Sequence, residues 1–289
     1  MKKLVIGYIY SGTELGPDEI LFKKIAEKKK IEPVLISTVQ WDDVMELKEM
    51  IKKCDVIYNS SAEDFAIETG KTIEELGKKI IDSSKAYYYT EDKWMFFLKC
   101  LEHKIPAPKT ILLSENITVA KKDLRKFNQW PVVLKRVVGT MGQFVEKAGN
   151  IKEAGDIMRK FWEKSSEKLP IIAQEYISSP CYRVTVFGKK IVQTAVKNNR
   201  GWKATGVFAK RIERFKVDKE LKKIITKIMK FVDISVCGID LLKKDGMWIA
   251  LEVNSAPALD FFESEREKMV NKLVDLLIGT AKNGKNQES

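Results

Sequence analysis

Along the first third of the chain, hydrophobic positions switch between two spacings. The apolar runs LVIGYIY, PVLIS and DVIYNS are short, rich in β-branched residues and bounded by polar ones, so each predicts a buried strand. Between and after them, apolar residues recur at helical spacing and predict helices over 18–30, 42–53 and 69–79, with KKIIDSS closing the unit. Strands alternating with helices at this interval imply a parallel sheet, here a small doubly wound α/β domain over 1–88.

The pattern then changes to α+β. Thr90 is placed to cap a helix whose first turn holds Glu91 and Asp92, and whose body WMFFLKCLEHK stops before the two prolines of IPAPKT. The strands TILL, PVVLKRVV, QFVEKA and PIIAQEYI, with a helix over 151–165, complete a central domain over 89–176. The remainder, 177–289, reads as the strands YRVTVFG and KIVQTAV, the loop NNRGWKATG, a helix over 218–231, and the strands GIDLLKK and MWIALEVN joined through KDG. A last helix is expected over 264–277, and the polar tail TAKNGKNQES is expected to be disordered.

Candidate chemistry concentrates in the final strand. Glu252 and Asn254 are two apart and therefore face the same side of a sheet. An antiparallel hairpin through KDG brings Asp240 opposite them. Both strands are otherwise apolar, where unpaired carboxylates would be costly, and three hard oxygen donors on one face suit magnesium. Upstream, Lys135 ends the strand PVVLK, and the loop GTMGQF follows it. Its glycines Gly139 and Gly142 let backbone amides approach anionic oxygens, with Thr140 as a further donor. No Walker sequence is present.

Composition narrows the class. A chain of 289 residues, 44% hydrophobic and 32% charged, has room for two to three domains. No apolar run approaches the ~18 residues that span a bilayer. The opening MKKLVIGYIY is followed at once by Glu14 and Asp18 with no small-residue cleavage site, so it reads as a first strand of a cytoplasmic protein without a membrane association. Cys54, Cys100, Cys181 and Cys237 are scattered with no CxxC pair, and His103 is the only histidine. That argues against a zinc site, a disulfide framework and histidine-based triads. The net charge of +12 attracts polyanions such as a nucleotide or an acidic substrate, although much of it lies on lysine-rich helix faces.

Taken in order, these motifs resemble the ATP-grasp enzymes, and within them the RimK-like carboxylate-amine ligases, over about 185 residues from TEDKW to EVNSAPAL. The resemblance implies an ATP-grasp fold behind an N-terminal Rossmann-like domain, with a glycine-rich lid in the central domain and the metal site in the C-terminal one. It matches Asp92 and Lys93 to the family's DK pair, Lys135 to its second nucleotide lysine, and GTMGQF to its phosphate loop. Gln174, Glu175, Tyr176 and Ile177 match the hinge that bonds adenine through backbone and side chain, and Leu251 completes the nucleotide set. Arg183 matches the arginine that steadies the migrating phosphoryl group, and Asp240, Glu252 and Asn254 match the metal ligands. The implied cofactors are ATP and Mg2+, for which Mn2+ can stand in.

The implied reaction joins a carboxylate to an amine through an acyl phosphate, adding glutamate or a similar amino acid to an acidic small molecule, peptide or protein. The family habit implies a dimer or tetramer. Lys197, Arg200 and Lys203, in the loop after the next strands, are candidates for holding the anionic acceptor. The chain departs from the family at Cys181, where DxR has aspartate, at Phe144, where the phosphate loop has its last glycine, and at Ala258, where EVNSSPGL has glycine. An ATP-grasp small-molecule kinase would use the same Lys135, Asp240 and Glu252 and form no amide. A nucleic-acid-binding protein is disfavoured, since neither an RNP-like aromatic motif nor a zinc module occurs. The intact metal triplet argues against a degenerate regulatory relative.

Overall fold

A computed structural model describes residues 3–41, 43–139, 142–164, 168–198, 201–203 and 211–285. Its three sheets follow one another along the chain. The first is wholly parallel, as the alternating pattern predicts. It is built from β1 (Val5–Tyr10), α1 (Pro17–Lys28), β2 (Glu32–Ser37), α2 (Val44–Lys52), β3 (Val56–Asn59), α3 (Asp64–Glu75) and β4 (Ile80–Ile81), in the order β2-β1-β3-β4. Asp43 caps α2 by accepting from the Glu46 N–H. α3 starts five residues earlier than the sequence pattern predicts, because Ala66 and Ile67 extend the buried stripe of Gly70 and Ile73 into the polar stretch before Thr69.

Next comes an unpredicted helix, α4 (Ser84–Thr90), whose tyrosine run gives no helical period. α5 (Lys93–Glu102) follows. Its cap is Asp92, which accepts from the Met95 N–H at 2.8 Å, whereas Thr90 ends α4. The second sheet contains β5 (Thr110–Leu112), α6 (Ile117–Phe127), β6 (Val132–Arg136), β7 (Val145–Ala148), α7 (Ile151–Glu163) and β8 (Ile171–Glu175), antiparallel in the order β5-β8-β6-β7. α6 was not foreseen. It buries only Ala120 and Leu124, and its ends are set by polar chemistry: Asn116 accepts from two backbone N–H groups and Asn128 closes the helix at φ 46°.

The third sheet holds β9 (Cys181–Phe187), β10 (Lys190–Asn198), a short unpredicted β11 (Arg211–Glu213), α8 (Lys219–Val232), β12 (Val236–Lys244) and β13 (Met247–Asn254), in the order β11-β10-β9-β12-β13. α9 (Arg266–Lys285) ends the described chain and takes in residues 280–285 of the polar tail. It continues because Leu273, Leu277 and Ala281, four apart, are all buried in one core.

Packing joins distant parts of the chain. Met269 and Leu273 of α9 share a core with Ile6, Phe22 and Tyr58 of the first sheet and its helix. Ala86, Phe96 and Cys100 of α4 and α5 share one with Val184, Ile228 and Trp248 of the third. Burying each such large side chain stabilises the fold by about 1.5–3 kcal/mol. Asp82, just after β4, accepts from the Val236 N–H at 2.8 Å and from the Ser235 N–H, tying the first sheet to the start of β12. Among the described residues, no helix is long and apolar enough to cross a membrane.

Candidate active site

The β12–β13 hairpin sets the first group of side chains. Asp240 lies directly across from Glu252 and Gly238 across from Asn254, and the register shifts immediately after Asp240. Arg183 on β9 is the neighbour of Asp240 on the other side and grips it with a fork, Nε to Oδ1 at 2.5 Å and Nη2 to Oδ2 at 2.7 Å. Lys197 Nζ adds a third contact to Oδ1 at 3.3 Å. Burial alone would raise the Asp240 carboxyl, but the Arg183 guanidinium and Lys197 ammonium hold it well below the usual carboxylate range. Burial would likewise lower Arg183, and Asp240 overrides it and raises the guanidinium. Gly238 makes the fork sterically feasible, since a Cβ there would lie 2.4 Å from Arg183 Nη1.

Lys197 corrects the sequence reading. It lies in β10 rather than in the following loop, is almost wholly buried, and is used inside the protein by Asp240.

Glu252 and Asn254 are less committed. Among the described residues, Glu252 has no hydrogen-bond or ion-pair partner, and Asn254 spends only its Nδ2, on the Gly238 carbonyl at 3.3 Å. A free carboxylate and a free carboxamide oxygen beside the remaining lone pairs of Asp240 are a hard-oxygen donor set that fits Mg2+. Among the described residues, no three His, Cys, Asp or Glu side chains gather as a metal cage.

The second group comes from β6, β8 and α5. Lys135 is buried and donates to Gln174 Oε1 at 2.8 Å, while Gln174 Nε2 donates to Thr110 Oγ1 at 3.0 Å. Burial pushes the Lys135 ammonium down to about 8, against the pull of Glu252. Lys93 Nζ donates to the Gly139 carbonyl at 2.7 Å and so joins α5 to the glycine loop. Gly139 and Gly142 have φ of 144° and 70°, which an L side chain adopts only with strain.

The departure at Phe144 has a physical account. Phe144 also occupies the left-handed region, at φ 51°, at a cost of about 1–3 kcal/mol for a bulky residue. Its ring offsets that cost by stacking under the Arg136 guanidinium, 3.4 Å from the centroid, and packing edge-on against Phe161 at 5.6 Å.

At the hinge, Glu175 accepts from the Lys109 N–H at 2.9 Å and from Lys244 Nζ at 2.6 Å. With Gln174 also engaged, both hinge side chains are occupied within the protein. The Ile177 N–H, in contrast, has no acceptor among the described residues.

The two groups face one cavity of about 870 Å³. Lys93, Lys135, Gly139, Gly142 and residues 174–177 line it from the second-sheet side; Asp240, Leu251, Glu252 and Asn254 line it from the third. Lys203 also reaches it, paired with Glu146 at 3.5 Å. Arg183 is absent from the lining and stands behind Asp240, and Lys197 lines an adjoining recess of about 240 Å³. Thr140 and Arg200 lie outside the described residues. Sequence reasoning missed two contributors. One is the segment from Ser60 to the exposed Phe65, the β3–α3 loop and the first residues of α3, which closes the cavity from the first-sheet side. The other is Glu91, expected in the first turn of a helix, which instead follows the end of α4 and accepts from Ser255 Oγ at 3.2 Å at the cavity wall. No spacing rule distinguishes these residues from ordinary loop polarity.

Solved structures share this architecture. A D-alanine–D-alanine ligase from Bacillus anthracis superposes with a TM-score of 0.75 at 18% identity, covering 99% of this chain and 100% of that one. A RimK domain ATP-grasp protein from Sphaerobacter thermophilus gives 0.72 at 12% identity, covering 95% and 99%. The fold is therefore that of the ATP-grasp proteins. The sequence pattern of the RimK-like ATP-grasp domain matches residues 90–277, and the chain belongs to that family. Curated relatives include a coenzyme gamma-F420-2:alpha-L-glutamate ligase from Methanocaldococcus jannaschii, 24% identical over 278 residues, covering 84% of this chain and 94% of the relative. Another is the alpha-aminoadipate–LysW ligase LysX of Saccharolobus solfataricus, 27% identical over 198 residues, covering 66% and 71%.

Proposed function

We propose that this protein is an ATP-dependent carboxylate-amine ligase that adds glutamate, or a similar amino acid, to an acidic acceptor. The observation that carries the reading is the single cavity that sets the lysines of one sheet opposite the carboxylates of another. A nucleotide triphosphate needs cations along its phosphates and hard oxygens for its metal, and both are present on facing walls.

In this reading, the acid oxygen attacks the γ-phosphorus and ADP leaves. The amine, once its ammonium has lost one proton, attacks the acyl carbon through its nitrogen, phosphate leaves, and the nitrogen gives up a second proton. Phosphoryl transfer of this kind depends on charge neutralisation and alignment more than on a nucleophilic side chain. Lys135 and Lys93 neutralise phosphate oxygens, and Lys93 carries the glycine loop with it through Gly139. The free Ile177 N–H, beside Leu242 and Leu251, offers adenine a donor and an apolar bed. Asp240, Glu252 and Asn254 would hold Mg2+, which supplies charge stabilisation across the phosphates when bound. Arg183 keeps Asp240 ionised and fixed. It reaches the migrating phosphoryl group only if the fork opens. The glycine loop limits water access to the reactive acyl group.

The acceptor class rests on the relatives, whose names describe glutamate addition to coenzyme gamma-F420-2 and ligation involving LysW. The net charge of +12 suits such an anionic partner. The test incubates the protein with Mg2+, ATP, labelled glutamate and a panel of acids: coenzyme F420-2, peptides ending in glutamate, and aminoadipate. Label entering a product together with ADP release, and lost in Glu252→Ala, supports the ligase. ADP with a phosphorylated acid and no label incorporated would replace it with a kinase.

A further inference from the structure

The cavity's ionic groups are unevenly committed. Asp240 is held by Arg183 and Lys197, Glu175 by the Lys109 N–H and Lys244, and Glu252 faces the metal position. Glu63 and Asp64 lie at the rim, exposed and well solvated. Glu91 differs from all of these. It is largely buried in the cavity wall, and only hydroxyls contact it: Ser255 Oγ at 3.2 Å and Thr90 Oγ1 at 3.3 Å, both on Oε1.

Its Oε2 has no partner among the described residues, and no cation lies within ion-pair distance there. Lys93 acts on it through space but donates its Nζ hydrogen bond to Gly139. A carboxylate withdrawn from water without a cation is costly, and burial pushes the Glu91 carboxyl up accordingly. Such a group is stabilised when a cationic ligand arrives.

The ligase reading supplies one. Every other substrate group it invokes is anionic or neutral, whereas the incoming amino acid carries an ammonium. Glu91 is fixed through buried Ser255, which directly follows the proposed ligand Asn254 on the β13 end. The free oxygen thus belongs to the same stretch of cavity wall as the end of β13. We infer that Glu91 is the binding residue for the ammonium group of the amine substrate, and that it selects cationic amines over neutral nucleophiles.

This inference rests on the ligase reading, and a competition assay separates the two. Glutamate, whose α-amino group is an ammonium near neutral pH, competes with hydroxylamine, which is uncharged there, for the acyl group of an N-acetylated peptide ending in two glutamates. Amide and hydroxamate are quantified together for wild type, Glu91→Gln and Glu91→Asp. In Glu91→Gln, which keeps the shape and the hydroxyl contacts, the amide-to-hydroxamate ratio should fall at least tenfold. KM for glutamate should rise by a similar factor, KM for ATP should change less than twofold, and Glu91→Asp should recover part of the ratio. An unchanged ratio in Glu91→Gln overturns the inference. So does loss of both products together with a higher magnesium requirement, which would make Glu91 part of the metal set. If the wild type forms neither amide nor hydroxamate, the ligase reading fails and the inference fails with it.

Discussion

The buried fork between Arg183 and Asp240 allows a quantitative prediction. Replacing Arg183 with methionine keeps an unbranched apolar stem but deletes two charge-assisted hydrogen bonds, at 2.5 and 2.7 Å, in a nearly solvent-free position. At about 1.5–3 kcal/mol each, they set a range of about 3–6 kcal/mol, and breaking a buried pair by removing one partner costs about 3–5 kcal/mol. Lys197 remains at 3.3 Å to stabilise Asp240, which favours the low end. The expected loss for R183M is therefore about 3 kcal/mol, a large share of the ~5–15 kcal/mol that holds a domain together.

Urea unfolding of wild type, R183M, Asp240→Asn and the double variant measures the coupling directly. The two single changes should be non-additive by at least about 2 kcal/mol, because each breaks the same fork; Lys197 loses its partner in both variants that carry Asp240→Asn, so that cost cancels in the cycle. Acid stability should shift in a defined direction. With its carboxyl depressed, Asp240 contributes stability that is present above the ordinary carboxylate range and is lost as pH falls through its lowered value. In R183M that loss begins at higher pH. A coupling below about 0.5 kcal/mol, the level expected for independent sites, would refute the claim that the fork organises this end of the site.

Other predictions concern separate parts of the structure. Because Lys135 is pushed down to about 8, it sheds its proton as pH rises through that value, so ATP affinity measured by calorimetry should weaken above it; Lys135→Arg should flatten the dependence. Asp82 is raised from 3.8 to about 6, so its contribution to stability is fully present at low pH and is lost as pH rises through about 6. By ~1.4 kcal/mol per unit, the difference between wild type and Asp82→Asn should change by about 3 kcal/mol across that window, as read from denaturant melts. Phe144→Gly relieves the left-handed strain but loses the stacking on Arg136. It should destabilise less than Phe144→Ala, by roughly 1 kcal/mol of Gly-specific relief, in paired thermal melts.

The sequence carried most of the parallel sheet and the β12–β13 hairpin, because both are written in local periodicity. Two-residue spacing put Glu252 and Asn254 on one face, and the hairpin placed Asp240 directly opposite Glu252. What local pattern could not carry was long-range commitment. Lys197 looks like a loop lysine until β10 pairs with β9 and buries it against Asp240. Glu91 looks like a first-turn helix acid until α4 and α5 dock on the third sheet and Ser255 meets it. α6 escaped notice because its caps, Asn116 and Asn128, define it better than its two buried side chains do. The polar tail read as disordered because Ala281, deeply buried at its start, contributes little hydrophobic signal.

The central claim is that the cavity activates a carboxylate as its acyl phosphate. The most direct measurement uses an acid substrate labelled with oxygen-18 in its carboxylate, incubated with glutamate, Mg2+ and ATP, with the released phosphate analysed by mass spectrometry. One labelled oxygen per phosphate, appearing in step with ADP and amide and abolished in Glu252→Ala, is the predicted result. Unlabelled phosphate released alongside amide would contradict the account, because the acid oxygen would then never have bonded to phosphorus.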